Sequence, residues 1–435
     1  MGDGLTGYPP ISALIWPVAV FFLATLVAIL DRQILFLLVD QVSKDLQIND
    51  VQISLLEGAA FSICYASCAL PIGLLADRYS RKTIAVCGIL CWSAATVWGG
   101  FTNTFEEMFL SRVFVGLGEA TLMPTAISFI SDLAAPSKRG RPISFMLTGN
   151  SLGRGATILI VSGILAVAGS QQFFFSPWIS DVAPWRLAFF VCGFLGLPVA
   201  VLLVTLREPP RRADGQQSRW DLRPALRYGL THARVLLPFM FCSAALSIGN
   251  YGMAAWGPSL LIRHFDLTAI QVGAWYGPAM MVAGPLGSLT GGYLSDRASA
   301  VGGARARLLF MAIACLGFLP GAFAVFAPHW AGAIALIAFS TASFSITGAM
   351  HSTVAQDLVP GHMRSTMVGF QLLISTIIGF AGGPFVIALM TEHFFRDPSS
   401  VGYSMAATIP PAVVVAALLA LMSWSALRGR PTIPG

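Results

Sequence analysis

The chain has 435 residues, of which 56% are hydrophobic and only 11% are charged, and its mean hydropathy is +0.74. A soluble domain carries about 25% charged residues, so the composition excludes an ordinary soluble enzyme. The net charge of +6 does not indicate a nucleic-acid partner, because the basic residues lie in short loops between apolar segments.

Twelve runs of mostly apolar residues follow one another along the chain. Each is long enough to cross a bilayer as a helix, which takes about 20 residues. The runs are numbered spans 1 to 12, and their predicted bounds are 14–39, 52–76, 83–102, 107–131, 142–167, 184–206, 235–261, 268–294, 306–326, 330–356, 364–390 and 402–427. The predicted fold class is an all-α membrane protein with 12 transmembrane helices.

The basic residues predict the orientation of the chain in the membrane. If odd-numbered spans run outward, the cytoplasmic loops and the C-terminal tail hold 19 of the 26 Lys and Arg residues, and the opposite loops hold four. An excess of basic residues marks the cytoplasmic side of a membrane protein. We therefore expect a multi-pass protein of the plasma (inner) membrane with both termini in the cytoplasm.

Two loops in the first half of the chain have counterparts in the second. Span 2 ends in Gly73-Leu-Leu-Ala-Asp77-Arg78, and span 8 ends in Gly292-Tyr-Leu-Ser-Asp296-Arg297, 219 residues later. Asp132-Leu and Asp357-Leu, 225 residues apart, are each followed by an arginine seven residues after the aspartate. Two matched loops at nearly one offset predict two six-helix halves in parallel orientation.

Parallel halves of this kind bracket a central binding site near the membrane midplane. The predicted domains are an N-terminal half, 1–207, a cytoplasmic linker rich in Arg and Pro, 208–234, and a C-terminal half, 235–435.

The loop after span 2 resembles the signature loop of the major facilitator superfamily. Its full sequence is Gly73-Leu-Leu-Ala-Asp77-Arg78-Tyr-Ser-Arg81-Lys82. The resemblance implies the twelve-helix major facilitator fold and a cytoplasmic gate, in which this loop latches one half to the other. The expected gate residues are Gly73, Asp77, Arg78 and Arg81. The copy after span 8 lacks the later basic residue.

Within that superfamily, two stretches resemble the spinster-type lipid transporters. Span 1 contains Asp31-Arg32-Gln33, and span 4 contains Arg112 followed by Val115-Gly116-Leu117-Gly118-Glu119-Ala120. The Asp-Arg pair also occurs in organic-anion symporters of the superfamily. Span 5 has Arg154 where drug antiporters usually have proline, which disfavours a simple drug antiporter.

Charged residues inside the spans are the main candidates for function. A charge at the bilayer centre costs about 2.5–3.5 kcal/mol on insertion scales, so such residues usually face a cavity or a partner. A rise of about 1.5 Å per residue places Asp31 and Arg112 at similar depth, with Glu119 nearer the midplane. Arg32 points about 100° away from Asp31 and is expected to pair elsewhere or to face headgroups.

We interpret Asp31, Arg112 and Glu119 as the proton-coupling residues. Separation of an Asp–Arg pair during a conformational change would let Asp31 take up a proton. The alternative interpretation is a static ion pair between helices, although buried pairs are weak contributors to stability. The predicted substrate-binding residues, which lie on spans 4, 5, 7 and 10, are Arg112, Glu119, Arg154, Asn250, Tyr251 and His351.

The sequence contains no H-E-x-x-H, CxxC or P-loop pattern. We expect no enzyme activity, no cofactor, no catalytic residue and no metal, and we read the seven cysteines as packing residues. The predicted function is proton-coupled secondary transport of an amphipathic lipid-like small molecule by alternating access. The alternative is a proton-coupled organic-anion symporter. The expected partners are the substrate, protons and the bilayer, with no nucleic acid, and the protein is expected to be a monomer.

Overall fold

The structure is a computed structural model, and it describes residues 10, 12–135, 138–169, 182–211, 223–360 and 363–427. Its α-helices in the first half of the chain are α1 (Ser12–Gln33), α2 (Leu35–Leu46), α3 (Asp50–Ser54), α4 (Ala60–Arg78), α5 (Arg81–Gly99), α6 (Phe105–Glu119), α7 (Leu122–Leu133), α8 (Gly140–Gly169) and α9 (Pro184–Val204). Those that follow are α10 (Arg223–Thr231), α11 (Ala233–Arg263), α12 (Ala269–Leu316), α13 (Leu319–Ala322), α14 (Trp330–Leu358), α15 (Arg364–Ile374), α16 (Gly382–Leu389) and α17 (Val401–Ala426).

The predicted all-α membrane fold is confirmed. Within the described ranges, 11 helical stretches are long and apolar enough to cross a membrane. One of them, 269–322, is interrupted at Gly302 and Gly303, so it supplies both span 8 and span 9. Gly303 has φ +58°, a left-handed conformation that glycine adopts without steric cost. The count therefore agrees with twelve spans.

Several spans are not continuous α-helices. Span 1 is divided at Ile34, between α1 and α2, and span 4 is divided at residues 120–121, between α6 and α7. Wider π-type turns occur at Leu55–Ala59 in span 2, and at Ser375–Ala381 and Met390–Phe395 in span 11. Such interruptions often mark functional sites, because they free main-chain groups from the regular helical ladder.

The described residues fall into two compact units. The first contains those of 1–48, 60–217 and 269–277, and the second contains those of 49–59, 218–268 and 278–435.

Small residues set the helix packing of the first unit. A Cβ at Gly116 would lie 2.5 Å from the main-chain oxygen of Phe61, and one at Gly118 would lie 2.7 Å from that of Gly88. Span 4 therefore approaches the backbones of both span 2 and span 3. Close approach through small residues is the usual way in which membrane helices associate, and here it brings the polar groups of spans 1 to 4 together.

The second unit is built around α11, which packs against α17 and against span 11. The Trp256 indole Nε1 donates to the main-chain oxygen of Pro384 at 3.0 Å, and the Ser423 hydroxyl donates to that of Val235 at 2.7 Å. At the far end of α11, both terminal nitrogens of Arg263 donate to the carboxylate of Asp50, at 2.7 and 2.9 Å. This bidentate pair fixes the start of span 2 within the second unit.

Candidate transport site

The interruption in span 1 is held by an arginine from span 4. Asp31 and Arg32 lie in the last turn of α1, where main-chain oxygens lack intrahelical partners. The fully buried Arg112 fills this position: its Nη1 donates to the Asp31 main-chain oxygen at 2.9 Å, and its Nη2 donates to that of Arg32 at 2.7 Å. Arg112 thereby joins spans 1 and 4 through the backbone.

The Asp31 carboxylate is completely buried and faces span 3. Trp92 and Thr96 lie beside it, but within the described residues neither carboxylate oxygen has a hydrogen-bond partner. A charge buried without hydrogen bonds is costly. The free energy of this arrangement therefore depends strongly on whether Asp31 carries a proton.

Arg32 forms the ion pair of this region with Glu119. Its Nε donates to a Glu119 carboxylate oxygen at 3.0 Å, and its Nη2 donates to the same oxygen. The guanidinium lies 4.4 Å from the ring centre of Phe61 and 5.3 Å from that of Tyr65. These two rings stack with centroids 5.3 Å apart. Arg32 is therefore braced by cation–π contacts on one side and by a carboxylate on the other.

This arrangement differs from the expected pairing of Asp31 with Arg112. Arg112 donates its hydrogen bonds to the main-chain oxygens of Asp31 and Arg32, and its positive charge attracts the Asp31 carboxylate without a hydrogen bond among the described residues. The ion pair instead joins Arg32 to Glu119, the last residue of α6, where span 4 is interrupted. Arg32 is a functional candidate that was not among the site residues predicted from the sequence. Its position 100° from Asp31 did indicate a different partner.

Arg154 lies half-buried in α8, and its Nε has no hydrogen-bond partner among the described residues. Nearby, the turn at Gly153 faces Ile29 of span 1, and that at Gly155 faces Gly277 at the start of span 8. On a helix, residue 154 points between these two directions. The structure therefore places Arg154 on the arc of α8 between spans 1 and 8, separate from the Arg32–Glu119 pair.

The predicted binding residues of the second half form a different polar group. Buried His351 stacks flat on Phe239, with ring centroids 3.8 Å apart, and the amide of Gln371 lies beside its ring. The same amide donates to the Ser243 hydroxyl at 3.4 Å. These side chains join spans 7, 10 and 11. Of this group, His351 was among the substrate-binding residues predicted from the sequence.

Asn250 and Tyr251 lie next to one another on α11. Asn250 is buried, and in the described part of the chain its Nδ2 has no hydrogen-bond partner. Tyr251 packs edge-on against Phe380 of span 11, with centroids 4.7 Å apart. Asn250 is therefore the more plausible donor to a ligand, because its amide is available and Tyr251 is half-buried against an aromatic ring.

The signature loop holds the neighbouring ends of spans 3, 4 and 6 together in the first unit. Buried Arg81 pairs with Asp132 at the end of span 4 and with Glu208 after span 6, and its Nη2 donates to the main-chain oxygen of Pro209 at 3.0 Å. The Ser80 hydroxyl also donates to Glu208. These bonds remain within one unit, so they act as an internal clasp of that unit.

The other expected gate residues make no comparable bonds in what the structure describes. Gly73 has open space where a Cβ would lie, and Arg78 is exposed. The side chain of Asp77 lies outside the described residues. A latch to the other half through Gly73, Asp77 and Arg78 therefore stays a prediction, whereas Arg81 is committed to its own unit.

The second unit contains an equivalent clasp, which the sequence repeat did not reveal. Arg307 pairs with Asp357, and its Nε donates to the main-chain oxygen of Ser295 at 3.2 Å. Asp357 was already matched to Asp132 by the repeat. Arg307 is the counterpart of Arg81. The repeat of the signature loop does not identify it, because the loop after span 8 is longer than the loop after span 2.

No group of three or more His, Cys, Asp or Glu residues suited to a metal ion occurs in the ranges that the structure covers. The polar groups described above are instead suited to ion pairing, hydrogen bonding and proton exchange inside a membrane, which are the functions of charged residues in transporters.

Comparison with known families agrees with this chemistry. The profile of the Major Facilitator Superfamily matches residues 21–384. The chain belongs to the Major Facilitator Superfamily. It is a multi-pass transporter rather than an enzyme, and its substrate is a small molecule.

Several known proteins similar to this superfamily member are spinster-type transporters. Protein spinster of Drosophila melanogaster is 26% identical over 407 residues, which cover 88% of this chain and 64% of the fly protein. The sphingosine-1-phosphate transporter SPNS2 of Danio rerio is 26% identical over 372 residues, covering 81% of this chain and 71% of the fish protein. The crystal structure of a bacterial homologue of the human lysosomal transporter spinster, inward-facing and unoccupied, has a TM-score of 0.79. That homologue is 22% identical, and the match covers 97% of this chain and 98% of the other, which shows the shared major facilitator fold.

The Arg81 clasp of this superfamily member is expected to weaken in acid. Partial burial raises the pKa of Glu208, but hydrogen bonds from Ser80 and Arg81 outweigh burial and hold that pKa below its ordinary value. A carboxyl group with a lowered pKa stabilises the folded state above its unfolded pKa, and that stabilisation is lost as the pH falls through the folded pKa. We expect Glu208→Gln to lower the thermal unfolding temperature by a constant amount from neutral pH to about pH 5, and by less below about pH 4. Glu106→Gln, at an exposed position, is the matched control; an equal deficit of Glu208→Gln at all pH values would contradict the assignment.

Proposed function

We propose that the protein is a proton-coupled secondary transporter of an amphipathic, lipid-like molecule, and that it works by alternating access. The observation that carries the proposal is the buried Asp31 carboxylate, which lies at an interruption of span 1 without a full hydrogen bond in the described part of the chain. Discontinuous helices with ionisable residues at the break are a common basis for ion and substrate sites in secondary transporters.

Asp31 is the proposed proton-binding group. A proton on its carboxyl group would remove the cost of burying a charge, and loss of the proton would favour a conformation in which water or a cation reaches the group. Because the main chain of residues 31 and 32 is bonded to Arg112, a change at Asp31 would be passed to span 4. In this proposal Arg112 is a positioning residue for the break in span 1.

Arg32 is the proposed ligand for an anionic head group. Its side chain retains 20% exposure, whereas Arg112 and Glu119 are almost completely buried. A phosphate or carboxylate could accept two parallel hydrogen bonds from the guanidinium. It would compete with Glu119 for Arg32, so binding of an anionic substrate would be favoured when Glu119 carries a proton. Arg154, Asn250 and His351 are proposed as further contacts to the substrate.

Short segments at the start of spans 2 and 8 pack in the unit that does not hold the following part of the span. Residues 49–59 begin span 2 but pack in the second unit, where a Cβ at Gly58 would lie 2.8 Å from the main-chain oxygen of Phe380. Residues 269–277 begin span 8 but pack in the first unit, where a Cβ at Gly273 would overlap Ser162. We propose that both close contacts fix the first turns of these spans within the unit in which they pack.

The runner-up is a proton-coupled symporter of organic anions. An anion without a tail would satisfy Arg32 as well as a lipid head group does. An alkyl chain gains about 0.8 kcal/mol per CH₂ on leaving water, but it gains little on leaving a bilayer. The head group therefore has to supply much of the selectivity, and the contribution of the tail separates the two functions.

We expect purified protein to bind lysophosphatidylglycerol at least about tenfold more tightly than glycerophosphoglycerol, which has the same head group without the acyl chain. Arg32→Gln should weaken the binding of both ligands, because each presents the same anion, while Lys138→Gln, at an exposed position, should weaken neither. Calorimetric titration in detergent would measure the affinities. Equal or tighter binding of glycerophosphoglycerol would favour the organic-anion function.

We also propose that the protein resides in the inner membrane as a monomer with both termini in the cytoplasm. The distribution of Lys and Arg supports this orientation. The proposed domains remain 1–207 and 235–435, joined by the linker 208–234.

A further inference from the structure

The linker contains a helix that the transport proposal does not use. Helix α10 (Arg223–Thr231) ends two residues before α11 begins at Ala233. The sequence from 223 to 235 has three arginines, Arg223, Arg227 and Arg234, and no Asp or Glu. Because α11 is a membrane span that starts at this point, α10 lies at the level where the chain enters the bilayer.

One side of α10 is fixed to the second unit. The Tyr228 hydroxyl donates to the main-chain oxygen of Leu358 at 2.8 Å, at the last residue of α14. The Tyr228 ring stacks on His232, with centroids 4.2 Å apart, and a Cβ at Gly229 would lie 3.4 Å from the Met367 methyl group. The helix is therefore held in one orientation by the ends of spans 10 and 11.

The other side of α10 combines exposed leucines with exposed arginine. Leu226 and Leu230 are 49% and 74% exposed, and they lie one turn apart on the same face. Arg227 is exposed next to this pair, and Arg234 is exposed in the first turn of α11. Leucines in such positions would be unfavourable in water, and the arginines would be unfavourable within hydrocarbon. The boundary between lipid headgroups and acyl chains suits both.

We propose that α10 binds the surface of an anionic bilayer on the cytoplasmic side, with Leu226 and Leu230 at the acyl boundary and Arg227 and Arg234 at the lipid phosphates. The net positive charge of the segment matches anionic lipid, and a basic residue near such a surface contributes to binding in a salt-dependent way. Through Tyr228, this contact would also fix the end of span 10. The inference depends on the proposed orientation in the membrane and not on the transported substrate.

Hydrogen exchange of the full-length protein in nanodiscs tests the proposal. We expect the amides of residues 223–234 to exchange about tenfold more slowly in nanodiscs that contain phosphatidylglycerol than in pure phosphatidylcholine. The double variant Arg227→Gln/Arg234→Gln should lose this difference, and high salt should reduce it in the parent. Leu226→Ser/Leu230→Ser should exchange faster in both lipids.

Two controls keep the result specific. Lys44→Gln, an exposed basic residue at the opposite end of the membrane spans, should leave the lipid effect unchanged, and unchanged exchange over residues 240–260 of α11 would show that each variant is folded. Soluble glycerol phosphate should not slow exchange in phosphatidylcholine nanodiscs. Equal exchange in the two lipids, or a lipid effect that survives in the double arginine variant, would overturn the proposal. Slowing by glycerol phosphate alone would indicate a soluble anion site instead of a bilayer surface.

Discussion

Asp31→Asn is expected to abolish substrate flux driven by a pH gradient while the protein remains folded and inserted. The substitution keeps the shape of the side chain and removes only its ability to exchange a proton. Because Arg112 is bonded to the main-chain oxygens of residues 31 and 32, it should stay in place in the variant. Loss of one essential proton-transfer group should reduce coupled flux by at least about a hundredfold. The measurement is flux into proteoliposomes with and without an imposed pH gradient.

Asp45→Asn is the matched control, because Asp45 lies in the second helix of the same span and pairs with Arg186 near its outer end. This control should retain gradient-driven flux. Exchange of substrate at equal pH on both sides should survive in Asp31→Asn, since binding does not require the proton site to turn over. If Asp31→Asn responds to the pH gradient as the parent does, the proton site lies elsewhere and Glu119 becomes the next candidate.

The sequence was sufficient to predict the spans but not the interruptions within them. Apolar run length identifies a membrane helix with little ambiguity, because lipid leaves the backbone few alternatives. The division of span 1 falls at Ile34, between Gln33 and Leu35, with no proline or glycine to signal it. The main-chain oxygens of Asp31 and Arg32, which lie in the last turn before that division, accept the hydrogen bonds of Arg112.

The length of the arginine side chain explains the second departure from the prediction, which is the ion pair between Arg32 and Glu119. Depth along a regular helix placed Glu119 nearer the midplane than Asp31. The guanidinium of Arg32 extends several ångströms from its Cα, so it reaches Glu119 while its backbone remains at the level of Arg112. The aromatic pair that braces it, Phe61 and Tyr65, is separated by four residues on span 2. In a chain with 30 phenylalanines, that spacing alone carries little information.

The two arginine clasps show what a sequence repeat can and cannot reveal. Asp132 and Asp357 were matched by their spacing, and each forms an ion pair with an arginine at the start of the span before its own. The clasps differ in burial: the Asp132 side chain is 15% exposed and that of Asp357 is 32% exposed. Arg81 also binds Glu208, which ties the end of span 6 to spans 3 and 4. The first clasp is therefore expected to contribute more stability than the second.

Arg81→Gln is expected to lower the free energy of unfolding by about 3 kcal/mol, near the lower end of the range for breaking a buried ion pair. The loss is large because Asp132 and Glu208 would keep their charges without the cation that pairs with both. Arg307→Gln should cost about 1 kcal/mol, since its partner is more exposed to solvent. Arg81→Lys should recover only part of the loss, because an ammonium group cannot reproduce the forked geometry that reaches two carboxylates and Pro209.

Thermal unfolding in detergent, with Lys138→Gln as the exposed control, would rank these variants. The same series separates a clasp from a gate. If Arg81 held one half of the protein to the other, Arg81→Gln would change the populations of inward-open and outward-open states, which paired spin labels across the cytoplasmic face would detect, with little change in stability. An internal clasp predicts the opposite: a large loss of stability, with distance distributions that match those of the parent below the unfolding transition. Unchanged stability in Arg81→Gln would contradict the clasp, whatever the distances show.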